Sequence, residues 1–181
     1  MMTRTLILSI FCLFLLVSAS AQHQVDSLKN LLNQSRNADT QRVKLYIALS
    51  DEYCDIDSDL GLQYSDSAIS LSKKLKDENL TGSSYLSKGK NYAQKGEISS
   101  AQANYFKAFN IFKKTKNLEN EAVCSHNLAY TYSITGNNRK AIELETRSYK
   151  ILMQLGNKKK AVNALNSIGV NYFYLSNFRT A

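Results

Sequence analysis

The chain has no proline and no tryptophan, and its 181 residues include only three cysteines and two histidines. Each scarcity excludes something. Proline would remove a backbone donor and clash with the preceding turn, so its absence over this length suits long, uninterrupted helices. The two histidines, His23 and His126, form no pair, triad or zinc-spaced set, so catalytic and metal-dependent chemistry have little to work with. The seven glycines, Gly61, Gly82, Gly89, Gly96, Gly136, Gly156 and Gly169, are scattered and never cluster as a phosphate-cradling loop requires. No catalytic residue, cofactor or metal is therefore expected. The apolar share of 44% is nevertheless that of a packed protein rather than a disordered one.

One long hydrophobic run exists, at the amino terminus. Arg4 precedes an almost wholly apolar stretch from Leu6 to Val17, and Ser18-Ala19-Ser20-Ala21 follows with small residues in the A-x-A relation. Residues 1–21 are predicted to be a secretory signal peptide cut before Gln22. About a dozen apolar residues are too few for a membrane span, which takes roughly 20. Bulky Phe11 before Cys12 is unlike a lipoprotein site. The mature chain is expected to be exported, periplasmic or otherwise extracytoplasmic, with no membrane span of its own. It keeps Cys54 and Cys124, which fall on helices two repeats apart and are expected to be small buried thiols rather than a disulfide.

What the sequence has in abundance is repetition. Ala101, Ala141 and Ala181 lie 40 residues apart, with Gly61 in the same slot one period earlier. Tyr92, Tyr132 and Tyr172 form a second column, and Gly89, Ala129 and Gly169 a third. Leu71, Ile111 and Ile151 form a fourth, and Ala68, Ala108 and Ser148 a fifth. Each unit reads as a helix, a turn and a longer helix. In the second unit these are predicted at Ser83 to Lys95 and Ile98 to Lys116, with Gly82 just before the first and Gly96 capping it in the left-handed region. Gly89 shares a helical face with Tyr85 and Tyr92, where a small residue admits the partner helix. The units are predicted at 39–79, 80–119 and 120–159, with an incomplete fourth at 160–181. A capping helix over 25–32 and a linker precede them. The segment 55-DIDSD-59 invites a calcium reading, but Leu60 and Asp66 stand where the loop needs glycine and glutamate. It is expected to be the first unit's turn, with Asp57 or Ser58 capping the next helix.

The runs "GKNYAQKGEISSAQANYFKA", "AYTYSITGNNRKAIELETRS" and "GVNYFYLSNFRTA" resemble the tetratricopeptide repeat, from about Asp39 to Ala181. The departures are a period of 40 rather than roughly 34 and the lack of the usual proline after the second helix. The resemblance implies an all-α, right-handed superhelical solenoid of antiparallel helix pairs, whose first helices line a concave groove for a protein or peptide ligand. By position the groove should take Lys44, Ile47 and Asp51 from the first unit and Leu86, Lys90 and Ala93 from the second. The third should add His126, Tyr130 and Ser133, and the fourth Asn163, Asn166, Val170 and Phe173. The clamp that binds chaperone carboxylate tails is not reproduced, because its slots hold Ile47, Asp51, His126 and Tyr130. Leader and long units together are similar to the extracytoplasmic part of bacterial signalling proteins that continue into a histidine kinase or a helix-turn-helix regulator. A free-standing secreted adaptor is the alternative. The fourth unit is expected to break off early, leaving Phe173, Tyr174 and Phe178 uncovered and self-association open to that end.

The net charge is +8, falling to +7 when Arg4 leaves with the leader. Lys73, Lys74 and Lys76, then Lys113, Lys114 and Lys116, close the first two long helices, and Lys158 to Lys160 follow the third. Cations there complement the helix dipole. Export and the lack of interleaved stacking aromatics exclude nucleic acid as the partner, leaving an acidic partner or a membrane surface as the alternative reading of the charge.

Overall fold

The computed structural model describes residues 23–35 and 39–177, and these are helical with short turns between helices. The predicted leader at 1–21 and the column residue Ala181 lie outside them, as does Phe178. Helix α1 covers 23–34. Three antiparallel pairs follow: α2 (Thr40–Tyr53) with α3 (Ser58–Lys74), α4 (Glu78–Gln94) with α5 (Ile98–Thr115), and α6 (Leu118–Ile134) with α7 (Asn138–Gln154). Helix α8 (Lys158–Asn177) opens a fourth unit.

Polar caps set the helix starts. The carboxylates of Asp39, Asp57 and Asp77 accept from the Arg42, Leu60 and Leu80 N–H groups. The side chains of Asn117, Asn137 and Asn157 do the same one and two periods later. Asp57 thus caps α3, as the turn reading of 55–59 requires. Asp77 corrects the predicted start of the second unit. It begins α4 at Glu78, five residues before Ser83, and places Gly82 inside the helix. Gly82 is there for packing, since a Cβ on it would stand 2.8 Å from the Phe112 ring. Gly96, Gly136 and Gly156 end helices at positive φ, and Lys76 and Lys116 do so without glycine's freedom. Lys158 to Lys160 open α8 rather than closing α7, so these three cations face the unfavourable end of a helix dipole.

Small residues on the second helices allow close crossing. Ala68, Ala101, Ala108 and Ala141 are fully buried, and Phe112 is buried among them at 0% exposure. The largest cluster joins Leu86, Tyr105, Phe112, Cys124 and Leu128 across α4, α5 and α6. Helix α1 covers the free face of the first unit. Its Val25 and Leu32 pack on Leu45, Leu49 and Tyr53, the role expected of a capping helix.

Each helix packs on its neighbours in sequence, α2 also packs on α4, and α4 touches α6. Among the described residues no comparable packing joins α3 to α5 or α5 to α7. The first helices α2 and α4 meet and α4 touches α6 while the second helices stay apart, so the row curves toward α2, α4 and α6, and α8 continues that side by its place in the fourth unit.

Candidate ligand groove

At the amino-terminal end of the concave row the polar groups are spent on one another. Ser87 Oγ donates to Ser50 Oγ at 2.7 Å and lies 2.9 Å from Asp51 Oδ1. Asn91 Nδ2 donates to the Ser50 carbonyl at 3.1 Å and to the Ser87 carbonyl at 3.0 Å. Lys90 reaches Asp51 at 3.1 Å, both side chains remaining about 40% exposed. Of the predicted groove residues, the structure therefore brings Asp51 and Lys90 together as a pair that holds α2 to α4. Lys44 is exposed and Ile47 half-buried. Leu86 is a correction: at 7% exposure it belongs to the core between α4 and α6 and offers no surface. Ala93 packs against the same core, and Ser133 is half-buried.

The carboxy-terminal half of the row is different. Tyr130, Val170 and Phe173 expose 58%, 51% and 62% of their surface, and Asn163 and Asn166 are exposed as well. Helices α6 and α8 are less closely joined than α2 and α4. A cavity of about 170 Å³ opens between them over α7, lined by His126, Ser148, Leu152, Lys160 and Asn163 among others. It is mostly apolar with a few convergent polar groups, the usual make-up of a ligand pocket.

His126 is not a free groove residue. Its Nδ1 lies 2.8 Å from Oε1 of Glu145, a carboxylate on α7 that is 2% exposed. The hydrogen bond that the protonated ring donates to Glu145 raises the His126 pKa above its ordinary value, against the opposing effect of burial. Glu145 Oε2 is buried with no hydrogen-bond partner among the described residues. Sequence reasoning missed Glu145, because its column holds Ser65 and Tyr105 and gives no hint of an acid. Glu121 was missed too: it is 4% exposed and is held by Arg147 Nε at 2.7 Å. A charged residue in a column otherwise buried was the available signal for both.

The thiols are free. Cys124 is buried and Cys54 half-buried. Burial pushes the Cys124 pKa up to about 12, and burial followed by Asp55 and Asp51 raises that of Cys54. Neither is a nucleophile at neutral pH. Among the described residues no group of acids, histidines and cysteines could hold a metal, and no helix is long and apolar enough to cross a membrane.

A scan against family models finds no match, and a search of curated proteins finds none either. Solved structures do match. The chain is similar to BtubC (BKLC) from P. vanneervenii, with 20% identity, a TM-score of 0.70, and coverage of 86% of this chain and 64% of that one. It is similar to a Rap protein complexed with Competence and Sporulation Factor at 15% identity and a TM-score of 0.75, covering 87% of this chain and 48% of that one. A Podospora anserina protein described as a putative kinesin light chain with nearly identical TPR-like repeats gives 14% identity and a TM-score of 0.61, covering 86% and 88%. The chain spans less than two thirds of the first two structures' length. These likenesses show the fold: this is a tetratricopeptide-like helical repeat solenoid.

Proposed function

We propose that the chain is an exported scaffold of the tetratricopeptide type that binds a protein or peptide in its concave groove, as the interaction or sensory segment of a larger bacterial signalling protein. Binding, not catalysis, is its mechanism. The observation that carries the reading is the asymmetry of the concave row. Its first half is closed by the Asp51–Lys90 and Ser50–Ser87–Asn91 contacts, while its second half presents Tyr130, Val170 and Phe173 beside an open cavity. Exposed aromatics around a half-polar pocket suit an extended segment or helix with apolar anchors. Two similar structures support a binding or sensing role: the Rap protein is complexed with a factor, and a Pyrococcus horikoshii signal-transduction ATPase is described as carrying a tetratricopeptide repeat sensor. Export rests on the leader at 1–21.

The test is a random dodecapeptide phage selection on the immobilised chain. Selected peptides are expected to carry apolar anchors and to lose at least about tenfold in affinity to Tyr130→Asp or Phe173→Asp, the loss of one buried anchor. Failure to select any sequence, or affinities indifferent to both substitutions, would contradict the groove. Export is tested separately by fusing residues 1–21 to periplasmic alkaline phosphatase. Active, secreted enzyme starting at Gln22 is expected, and retention in the cytoplasm contradicts it.

A further inference from the structure

On the opposite face, the clefts between successive second helices are filled differently from one another, although they occupy equivalent places 40 residues apart. In the cleft between α3 and α5 the chain supplies its own plug. The Tyr85 ring lies between two cations, Lys73 Nζ at 5.5 Å and Lys107 Nζ at 5.3 Å from its centroid. Beside it Lys88, lying over the Tyr92 ring, reaches Asp66 at 2.5 Å and ties α4 to α3.

In the cleft between α5 and α7 three of the filling residues are replaced, while the Tyr92 column keeps its ring as Tyr132. Ser125 stands in the column of Tyr85, Leu128 in that of Lys88, and Phe106 in that of Asp66. The two flanking cations are kept, as Lys113 and Arg147. The outcome is a cavity of about 260 Å³ with an apolar floor that includes Phe106, Phe109, Leu128 and Leu144. Lys113, Lys140 and Arg147 stand at its rim with Glu143. Phe106 is 55% exposed and stacks on Phe109 at 6.5 Å, and Arg147 sits 5.3 Å over the Phe109 ring. Arg147 is also paired with Glu121, and Lys140 with Glu143, while Lys113 is exposed and has no ion pair among the described residues.

We infer that this convex cleft is a second docking site, taking an aromatic side chain flanked by acidic residues from a partner peptide. The site lies between Lys113 and Arg147, the counterparts of the two cations that flank the tyrosine one unit earlier. The internal precedent names the occupant's chemistry: a phenol ring between two cations, with a carboxylate where Asp66 sits one unit earlier. Glu121 and Glu143 already pair with Arg147 and Lys140, so Lys113 is the rim cation left to favour an acidic flank, and the two cation–π contacts of the unit before favour an aromatic centre over an aliphatic one.

The experiment titrates acetyl-Asp-Asp-Tyr-Asp-Asp-amide into the isotopically labelled chain, with the Asp-Asp-Ala-Asp-Asp peptide as control. Shifts are expected at the amides around Phe106, Leu144 and Arg147, about tenfold weaker with the alanine peptide. Ser125→Tyr restores the internal plug and is expected to abolish them. Lys113→Glu, a surface change that leaves packing intact, is expected to weaken binding severalfold even if Ser125→Tyr fails to fold. Tyr130→Ala, on the concave side, is expected to leave the shifts in place. Shifts confined to the concave helices, equal binding of both peptides, or binding untouched by Lys113→Glu would overturn the site. So would a dimer in sedimentation velocity that Phe106→Asp dissolves, which would assign the cleft to a second copy of the chain.

Discussion

At the scale of single residues, a few side chains carry more of the behaviour than their neighbours do. Lys116 ends α5 at φ 57°, in the left-handed region where a Cβ costs about 1–2 kcal/mol. Its column holds Gly156 one unit later, at φ 72°. Lys116→Gly relieves that strain but gives the unfolded chain more freedom to lose, a penalty of about 0.5–1 kcal/mol. The strain is the larger effect, so calorimetry is expected to show a midpoint raised by about 1–4 °C. A lowered midpoint would mean that Lys116's side chain makes a compensating contact.

His126 sets a pH dependence. Glu145 raises its folded pKa above the ordinary 6.5. The pair's contribution is therefore fully present below the unfolded value and is lost as pH rises through the higher folded value. With only two histidines in the chain, the imidazole signals can be assigned directly. A folded value above 6.5 is expected, returning toward it in Glu145→Gln. A His126 that titrates identically in both proteins contradicts the pair.

At the scale of elements, much was legible. The 40-residue columns located the turns and the glycine and alanine crossings, because each reflects steric need recurring once per unit, and the apolar spacing of 25–32 located the capping helix. The start of α4 was not legible in the same way. Gly82 looks like a helix boundary from sequence, since glycine usually weakens a helix. Its true role depends on Phe112, which lies 30 residues away and approaches only in the folded pair. Gly82→Ala weighs the two effects directly. Helix propensity favours alanine by about 1 kcal/mol, while overpacking a tight core costs about 1–3 kcal/mol. Phe112 is 0% exposed and has nowhere to move, so the clash wins. A urea midpoint lower than wild type with an unchanged slope is expected, and a higher one contradicts the packing.

The groove was only partly legible for a related reason. Position within a repeat tells which face a residue occupies but not whether the next unit covers it. Leu86 is placed on the concave face by position but is buried in the cluster that α4 shares with α5 and α6. His126, its counterpart 40 residues on, keeps about half of its side chain exposed because α8 stands off from α6. The charged insertions at Glu121 and Glu145 escaped notice because no other unit carries an acid in those columns.

At the scale of the molecule, protection is uneven along the solenoid. The first unit is covered by α1 on one side and α4 on the other. Helix α8 is not so covered among the described residues: Val162, Leu165, Tyr172 and Phe173 are each more than half exposed. Gly169 meets nothing within 4 Å, whereas a Cβ at Gly89, its counterpart two units earlier, would meet the Tyr105 ring at 2.5 Å. Local opening is governed by such differences in buried contact. In hydrogen exchange the α8 amides of this chain are expected to exchange fastest among the helices and those of α4 and α5 slowest. Uniform protection along the array would contradict this gradient.

The central claim is that ligand binding belongs to the open, carboxy-terminal half of the concave row. A backbone amide titration with a peptide from the phage selection tests it most directly. The account predicts shifts centred on His126, Tyr130, Asn163, Val170 and Phe173, with the Asp51–Lys90 region nearly silent. Shifts concentrated on α2 and the Asp51 end, or spread over helices outside the concave row, would contradict it.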